Sequence, residues 1–171
     1  VLIKKRNLGI FKIKINWEAI ILVKDNITLG TIVGLAGTIP QILISLIAYK
    51  MGYAQYFSFQ LSAGIILAKP LAGEPLGLLM GGFIWELTGA VLGIIILFLL
   101  IKTGTDFWWL KGILISTFFM YTVIYGFAFD IGSANVLPED IGTNLTEMAG
   151  NILFGLTGAF LAARWADRVN L

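Results

Sequence analysis

The chain has 171 residues, 58% of them hydrophobic and only 13% charged, with a net charge of +2 and a mean hydropathy of +0.90. An ordinary soluble domain is about 45–50% apolar and about 25% charged, so this composition points to a membrane protein with little soluble mass. With no cysteine and no histidine, disulfides, thiolate catalysis, haem ligation through either side chain and histidine-based metal sites are excluded. The small net charge gives no footprint for nucleic acid.

Residues 1–26 form a basic juxtamembrane segment carrying Lys4, Lys5, Arg6, Lys12, Lys14 and Lys24. No compact apolar run follows the first cluster, so a cleaved signal peptide is not expected. Phe11, Ile13, Ile15 and Trp17 alternate with Lys12, Lys14 and Asn16, the period-two pattern of a strand. The plainer reading is an amphipathic stretch on anionic headgroups with Trp17 as interfacial anchor. The sharper one is a strand that pairs with a partner chain.

Four spans follow within residues 27–165, at 27–49, 75–101, 112–129 and 147–163, with a short tail at 166–171. Each approaches the roughly 20 apolar residues that a hydrocarbon core about 30 Å thick requires. Pro40, mid-way along the first span, predicts a kink, and Gln41 beside it could satisfy the freed carbonyls. Pro75 suits the first position of a helix. The sixteen residues 53–68 would cover only about 24 Å as a helix. They predict an interfacial or re-entrant helix, aromatic in its first half.

Charge counting supports four spans. With the N-terminus inside, ten basic residues lie in the cytoplasm and two, Lys50 and Lys69, outside. If 53–68 also crossed, the split would be seven against five. The positive-inside rule favours the first arrangement. The loop 130–147, with Asp130, Glu139, Asp140 and Glu147 and no Lys or Arg, is then external. The expected fold is therefore an all-α polytopic four-helix bundle with both termini cytoplasmic.

Two of the spans echo each other, GGFIWELTGAVLG at 81–93 and GNILFGLTGAFLA at 150–162. The match suggests either a parallel duplication or chance among Gly- and Leu-rich helices. Gly82, Glu86, Gly89 and Gly93 share one face of the second span; Asn151, Gly155, Gly158 and Ala162 share one face of the fourth. Small residues at this spacing let helix backbones approach closely. Contact between these two helices, or use of the same faces in an oligomer, is the expectation.

Glu86 is the one charged side chain expected deep within a span, about 17 Å along the helix from Pro75. A carboxylate there should face the interior and find donors; Gln41, Tyr121, Thr122 and Tyr125 are the candidates. It reads either as a proton- or cation-responsive group or as a hydrogen-bonded element fixing helix register. Asn151 reads chiefly as a hydrogen-bonding tie across helices. The motif TGTDFWWLKG places Trp108 and Trp109 at the interface with a snorkelling Lys111. No nucleophile–base pair, phosphate loop or metal-ligand set is present, and no cofactor is implied.

The glycine-rich second helix, the TGxDxWWLKG loop and the polar residue early in the fourth helix resemble the YqhR-like family of small bacterial four-span membrane proteins. The resemblance covers about residues 27–165. It implies the fold and a bacterial inner membrane, and no activity. Members often carry a histidine near the start of the last helix where this chain has Asn151, which argues against carrying over a metal or proton role.

Three functions compete on this reading. A non-enzymatic membrane subunit or scaffold, partnered by the lipid bilayer and by itself or another membrane protein, comes first. A small oligomeric proton or cation transporter using Glu86 comes second, and a lipid-modifying enzyme a distant third. A hydrated cavity reaching Glu86 would favour transport; Glu86 sealed among hydroxyl donors would favour structure.

Overall fold

A computed structural model describes residues 25–131 and 134–169. The amphipathic segment before Asp25, including Trp17, lies outside the described residues, as do the last two residues. Among the described residues there are helices and no strands: α1 (Asn26–Lys50), α2 (Ser58–Gly64), α3 (Lys69–Ala72), α4 (Pro75–Thr103), α5 (Trp108–Phe119) and α6 (Ile141–Val169). Beyond Phe119, α5 continues as a π-helical segment, Met120–Ile131. Four stretches are long and apolar enough to cross a membrane: Asn26–Lys50, Pro75–Thr103, Trp108–Asp130 and Ile141–Ala166.

The helix ends follow local chemistry. Asp25 caps α1, accepting from the Ile27 and Thr28 amides at 3.2 and 2.9 Å, which satisfies two donors that a helix start leaves free. Pro75 opens α4 at its first position. Gly104, at φ +81°, ends it, and Lys111 Nζ donates to the Thr103 and Gly104 carbonyls at 3.2 and 2.8 Å. That contact places a cation at the negative end of the helix. Asp140 Oδ1 accepts from the Thr143 amide at 2.7 Å and opens α6.

This last cap corrects the fourth span. Its helix starts at Ile141 rather than at 147, and continues to Val169 through residues expected to belong to a tail. Trp165 and Ala166 are buried, so packing carries the helix past the last apolar run. The third span likewise starts earlier, at Trp108. Proline 40 sits inside α1, which continues through it to Lys50. The piece at 53–68 contracts to the seven residues of α2. Ser58, Leu61, Ser62, Ala63 and Gly64 are buried in it, so α2 is packed inward.

Backbone proximity fixes the helix order. A Cβ placed on Gly34 of α1 would fall 2.0 Å from the Gly89 carbonyl oxygen of α4, and one on Gly93 would fall 2.2 Å from the Gly34 nitrogen. A Cβ on Gly112 of α5 would fall 2.2 Å from the Gly155 carbonyl oxygen of α6. Any side chain at these glycines would push the helices apart. The pairs run antiparallel. The glycine faces of α4 and α6 therefore each find a different partner, α1 and α5, rather than principally one another. A Cβ on Gly82 would meet the Phe59 ring, and one on Gly158 would fall 3.6 Å from Val33.

Polarity is distributed by depth and by side. Towards the end where α1 starts and α4 turns into α5, the core is wholly apolar: Leu29, Val33, Ile96, Leu97, Leu100 and Ala162. At the other end, a small cluster of Leu61, Ala63, Ala72 and Val136 joins α2, α3 and the segment before α6 into a cap. The Asn135 amide donates to the Gly64 carbonyl at 2.7 Å, tying that cap together. Between the two clusters the interior is polar, with Thr38, Gln41, Ser45, Ser58, Glu147 and Asn151 all buried. The outer faces instead show Leu76, Leu79, Phe83 and Phe118 at 68–82% exposure. Polar groups inside and large apolar groups outside reverse the usual soluble pattern.

Candidate functional site

The buried polar layer is built from two stripes. Thr38, Gln41 and Ser45 recur at helical spacing on α1; Thr143, Glu147 and Asn151 do so on α6, and all six are buried. Since α1 and α6 pack antiparallel, Ser45 comes opposite Glu147, while the Gly150 backbone next to Asn151 comes against Gln41. The short helix α2 then inserts Ser58 between Ser45 and Glu147.

Glu147 is the centre of this layer. It is 3% exposed and lies roughly 9 Å along α6 from Ile141. Its Oε1 accepts from Ser58 Oγ at 2.7 Å and, more weakly, from Ser45 Oγ at 3.3 Å. The two hydroxyls are 2.6 Å apart, and the Ser58 amide donates to Ser45 Oγ at 3.1 Å. A chain of hydroxyls ending on one carboxyl oxygen strengthens each link by polarisation. No lysine or arginine among the described residues reaches Glu147, and its Oε2 is left without a hydrogen bond.

Beside Glu147 is a cavity of about 50 Å³, bounded by all four long helices and α2. That volume has room for about three or four waters. Thr38, Gln41, Ser62, Trp85, Thr88, Tyr125, Glu147 and Asn151 supply its polar lining. Leu61, Ile65, Phe119, Phe129 and Phe154 supply apolar wall. Two of the polar groups have no partner. Trp85 Nε1 is a buried donor without an acceptor, and the Gln41 amide, 4% exposed, makes no hydrogen bond. Gln41 therefore does not satisfy the carbonyls freed at Pro40.

Asn151 has its donors in use. Its Nδ2 lies 2.8 Å from both Met120 Sδ and the Glu147 carbonyl, and its own carbonyl accepts from Ser116 Oγ at 2.9 Å. It ties α6 to α5, leaving its side-chain oxygen as the remaining acceptor. Tyr125 donates to Asn144 Oδ1 at 2.5 Å and sits between Tyr121, tilted against it, and Phe129, edge-on to it, with ring centroids at 5.6 and 5.4 Å. Because i→i+5 bonding adds about one residue to each turn, positions four apart lie nearly above one another in this π-helical stretch. Tyr121 itself is exposed.

Glu86 has different neighbours from those the sequence suggested. Thr38 Oγ1 stands 3.1 and 2.9 Å from its two oxygens and 2.7 Å from the Leu35 carbonyl. Gln41, Tyr121 and Tyr125 make no hydrogen bond to it, and Thr122 is exposed on the far helix. The reason is the α1–α4 glycine contact, which brings Thr38 directly onto Glu86. Glu86 is half-buried and does not line the cavity. Thr38 touches both, as one wall of the cavity and as the partner of Glu86.

At the opposite end Trp108 is half-buried against Phe160, with ring centroids at 5.6 Å, and Trp109 is exposed. No group of three or more acidic residues is placed to hold a metal ion among the described residues. The sequence reading missed Glu147 by assigning it to the external loop. The signal was present, since Thr143, Glu147 and Asn151 repeat every four residues, a polar stripe that a solvated loop has no reason to carry.

No protein-family model, no curated protein and no solved structure matches this chain. The chemistry of the site is therefore read from its own residues.

Proposed function

We propose that this is a multi-pass membrane protein acting as a non-enzymatic subunit or scaffold, with its four long helices bundled across the bilayer and its cap at the outer face. The inverted polarity supports the insertion. In water, the exposed leucines and phenylalanines of α4 and α5 would form a patch far larger than a soluble monomer tolerates; in lipid they are solvated. The resemblance to YqhR-like proteins supports the four-span fold and a bacterial inner membrane.

The observation that carries the subunit reading is the position of Glu86. It is half-buried at mid-helix, bonded to a single hydroxyl, and bordered by the exposed Ile39, Phe83 and Leu87. A carboxyl group with an open side at that depth is costly against lipid. A second helix bringing a donor, from another copy or from a partner, removes the cost. Throughput across a single chain has no support, because the polar layer ends on an apolar core of Leu29, Val33, Ile96 and Leu97.

The test uses the absence of native cysteine. Ile39→Cys and Phe83→Cys, cross-linked in native membranes, are expected to give discrete higher-mass adducts. Leu114→Cys, equally exposed on α5, should not. Equal adducts at all three, or none, would remove the subunit reading. Proton, Na⁺ or K⁺ flux in liposomes that disappears in Glu86→Gln would replace it with the transporter.

A further inference from the structure

The cavity beside Glu147 has the features of a binding site rather than of a packing defect. Empty cavities in proteins are apolar, whereas a cavity walled by unpaired polar groups holds something that pairs them. Here three groups wait at one small volume: Glu147 Oε2, the Gln41 amide and Trp85 Nε1. They differ in what they ask for. Glu147 offers a carboxyl oxygen with no basic residue beside it, a group that carries charge at this burial only when a cation arrives to balance it. Gln41 adds an acceptor through its carbonyl, as does the spare side-chain oxygen of Asn151. Trp85 can only donate, so it needs an acceptor.

Those demands define a ligand. An ammonium group carries three donors, which match the oxygens of Glu147, Gln41 and Asn151. The aromatic walls from Phe119, Tyr125, Phe129 and Phe154 suit a cation further, through the negative faces of the rings. A bare alkali ion fits less well, because it would need about six oxygen ligands and much of this wall is carbon. The indole N–H requires that the ligand also bear an acceptor, a hydroxyl or carbonyl. The volume limits the ligand to about four non-hydrogen atoms, each taking roughly the room of one water. A phosphate-bearing lipid headgroup is excluded by the size of the cavity.

We propose that the cavity enclosed by α1, α2, α4, the α5–π helix and α6 is a binding site for a short amino alcohol or similarly small amine bearing one hydrogen-bond acceptor. Glu147 holds the ammonium group, Gln41 and Asn151 complete its hydrogen bonds, and Trp85 donates to the acceptor. Ser45 and Ser58 keep Oε1 occupied, so Oε2 is the oxygen presented to the ligand. Access is assigned to the side between α4 and the π-helical segment, which scarcely touch each other. This site does not depend on the subunit reading, which concerns Glu86 on the far side of Thr38 and outside the cavity.

The experiment is a titration of the full chain in detergent with 2-aminoethanol, followed by tryptophan fluorescence and calorimetry. Saturable binding is expected, with propylamine weaker and propan-1-ol silent. Glu147→Gln should weaken 2-aminoethanol by at least about tenfold, the size of one lost charged hydrogen bond. Trp85→Phe should abolish the preference for 2-aminoethanol over propylamine while retaining amine binding. Gln41→Leu provides a second loss variant should Glu147→Gln fail to fold. No saturable binding by folded wild type would overturn the proposal. So would equal binding of propan-1-ol, or unchanged affinity in both Glu147→Gln and Gln41→Leu.

Discussion

Ser58 belongs to a seven-residue helix with no apparent reason to persist, yet its hydroxyl and amide are both committed. The hydroxyl reaches Glu147 at 2.7 Å and the amide reaches Ser45 Oγ at 3.1 Å. Removing a partner from a buried polar group costs more than the bond itself contributes, about 1–3 kcal/mol. Ser58→Ala should therefore lower the thermal stability of the purified protein by an amount in that range. Ser62→Ala, buried on the same helix but without such a bond, should cost clearly less. The double variant Ser45→Ala/Ser58→Ala should lose less than the sum of the single losses, because the two hydroxyls serve one oxygen. A Ser58→Ala protein as stable as wild type in a melting experiment would deny Glu147 its structural anchor. At this scale Glu86 was legible because a lone charge within an apolar run has few explanations. Glu147 was not, because its meaning depends on where α6 starts, and helix boundaries blur when polar residues cluster at a span's edge.

Element boundaries here are set by side chains just outside the apolar runs. Asp25 is the clearest case. Thr28's hydroxyl, then the Thr28 and Ile27 amides, hold its carboxyl below the ordinary value of 3.8. A depressed carboxylate contributes stability above the unfolded value and loses it as pH falls through the folded one. Wild type should therefore exceed Asp25→Asn in melting temperature by a margin that is constant above about pH 5 and shrinks as the pH falls from there to about pH 2. Asparagine still caps but does not titrate, so the variant isolates the charge. A margin that is constant across that range would show that the cap does not depend on ionisation. The four long helices were readable from sequence because twenty apolar residues leave little choice of structure. The π-helical continuation of α5 was not, since i→i+5 bonding is a small local adjustment chosen by packing. The cap was equally hidden: α2 is held by Ser45, Glu147 and the Phe59–Gly81 contact, all distant in sequence.

For the whole molecule, the described charges sort by end. Lys102, Lys111 and Arg164 gather where α4, α5 and α6 meet the start of α1, accompanied by Asp25 and Asp106. The cap end holds Glu74, Asp130, Glu139 and Asp140 against Lys50 and Lys69. The orientation proposed here puts the basic end in the cytoplasm, as the positive-inside rule would have it. The even number of long helices puts residues 51–74 and 134–140 on the same opposite side. Cysteines at Met51 and Ile66, both more than half exposed, and at Leu137, 37% exposed, should accordingly react with an impermeant maleimide added to intact cells. A cysteine at the exposed Thr103 should react only after permeabilisation. The three cap positions must behave alike, because α2, at seven residues, spans only about 11 Å and cannot carry the chain across. Labelling of Met51 but not Leu137 would mean that residues 53–68 cross after all, and labelling of Thr103 alone would invert the protein. Either outcome would also move the Glu147 cavity, which under the expected topology lies nearer the outer face, about two helical turns below the cap.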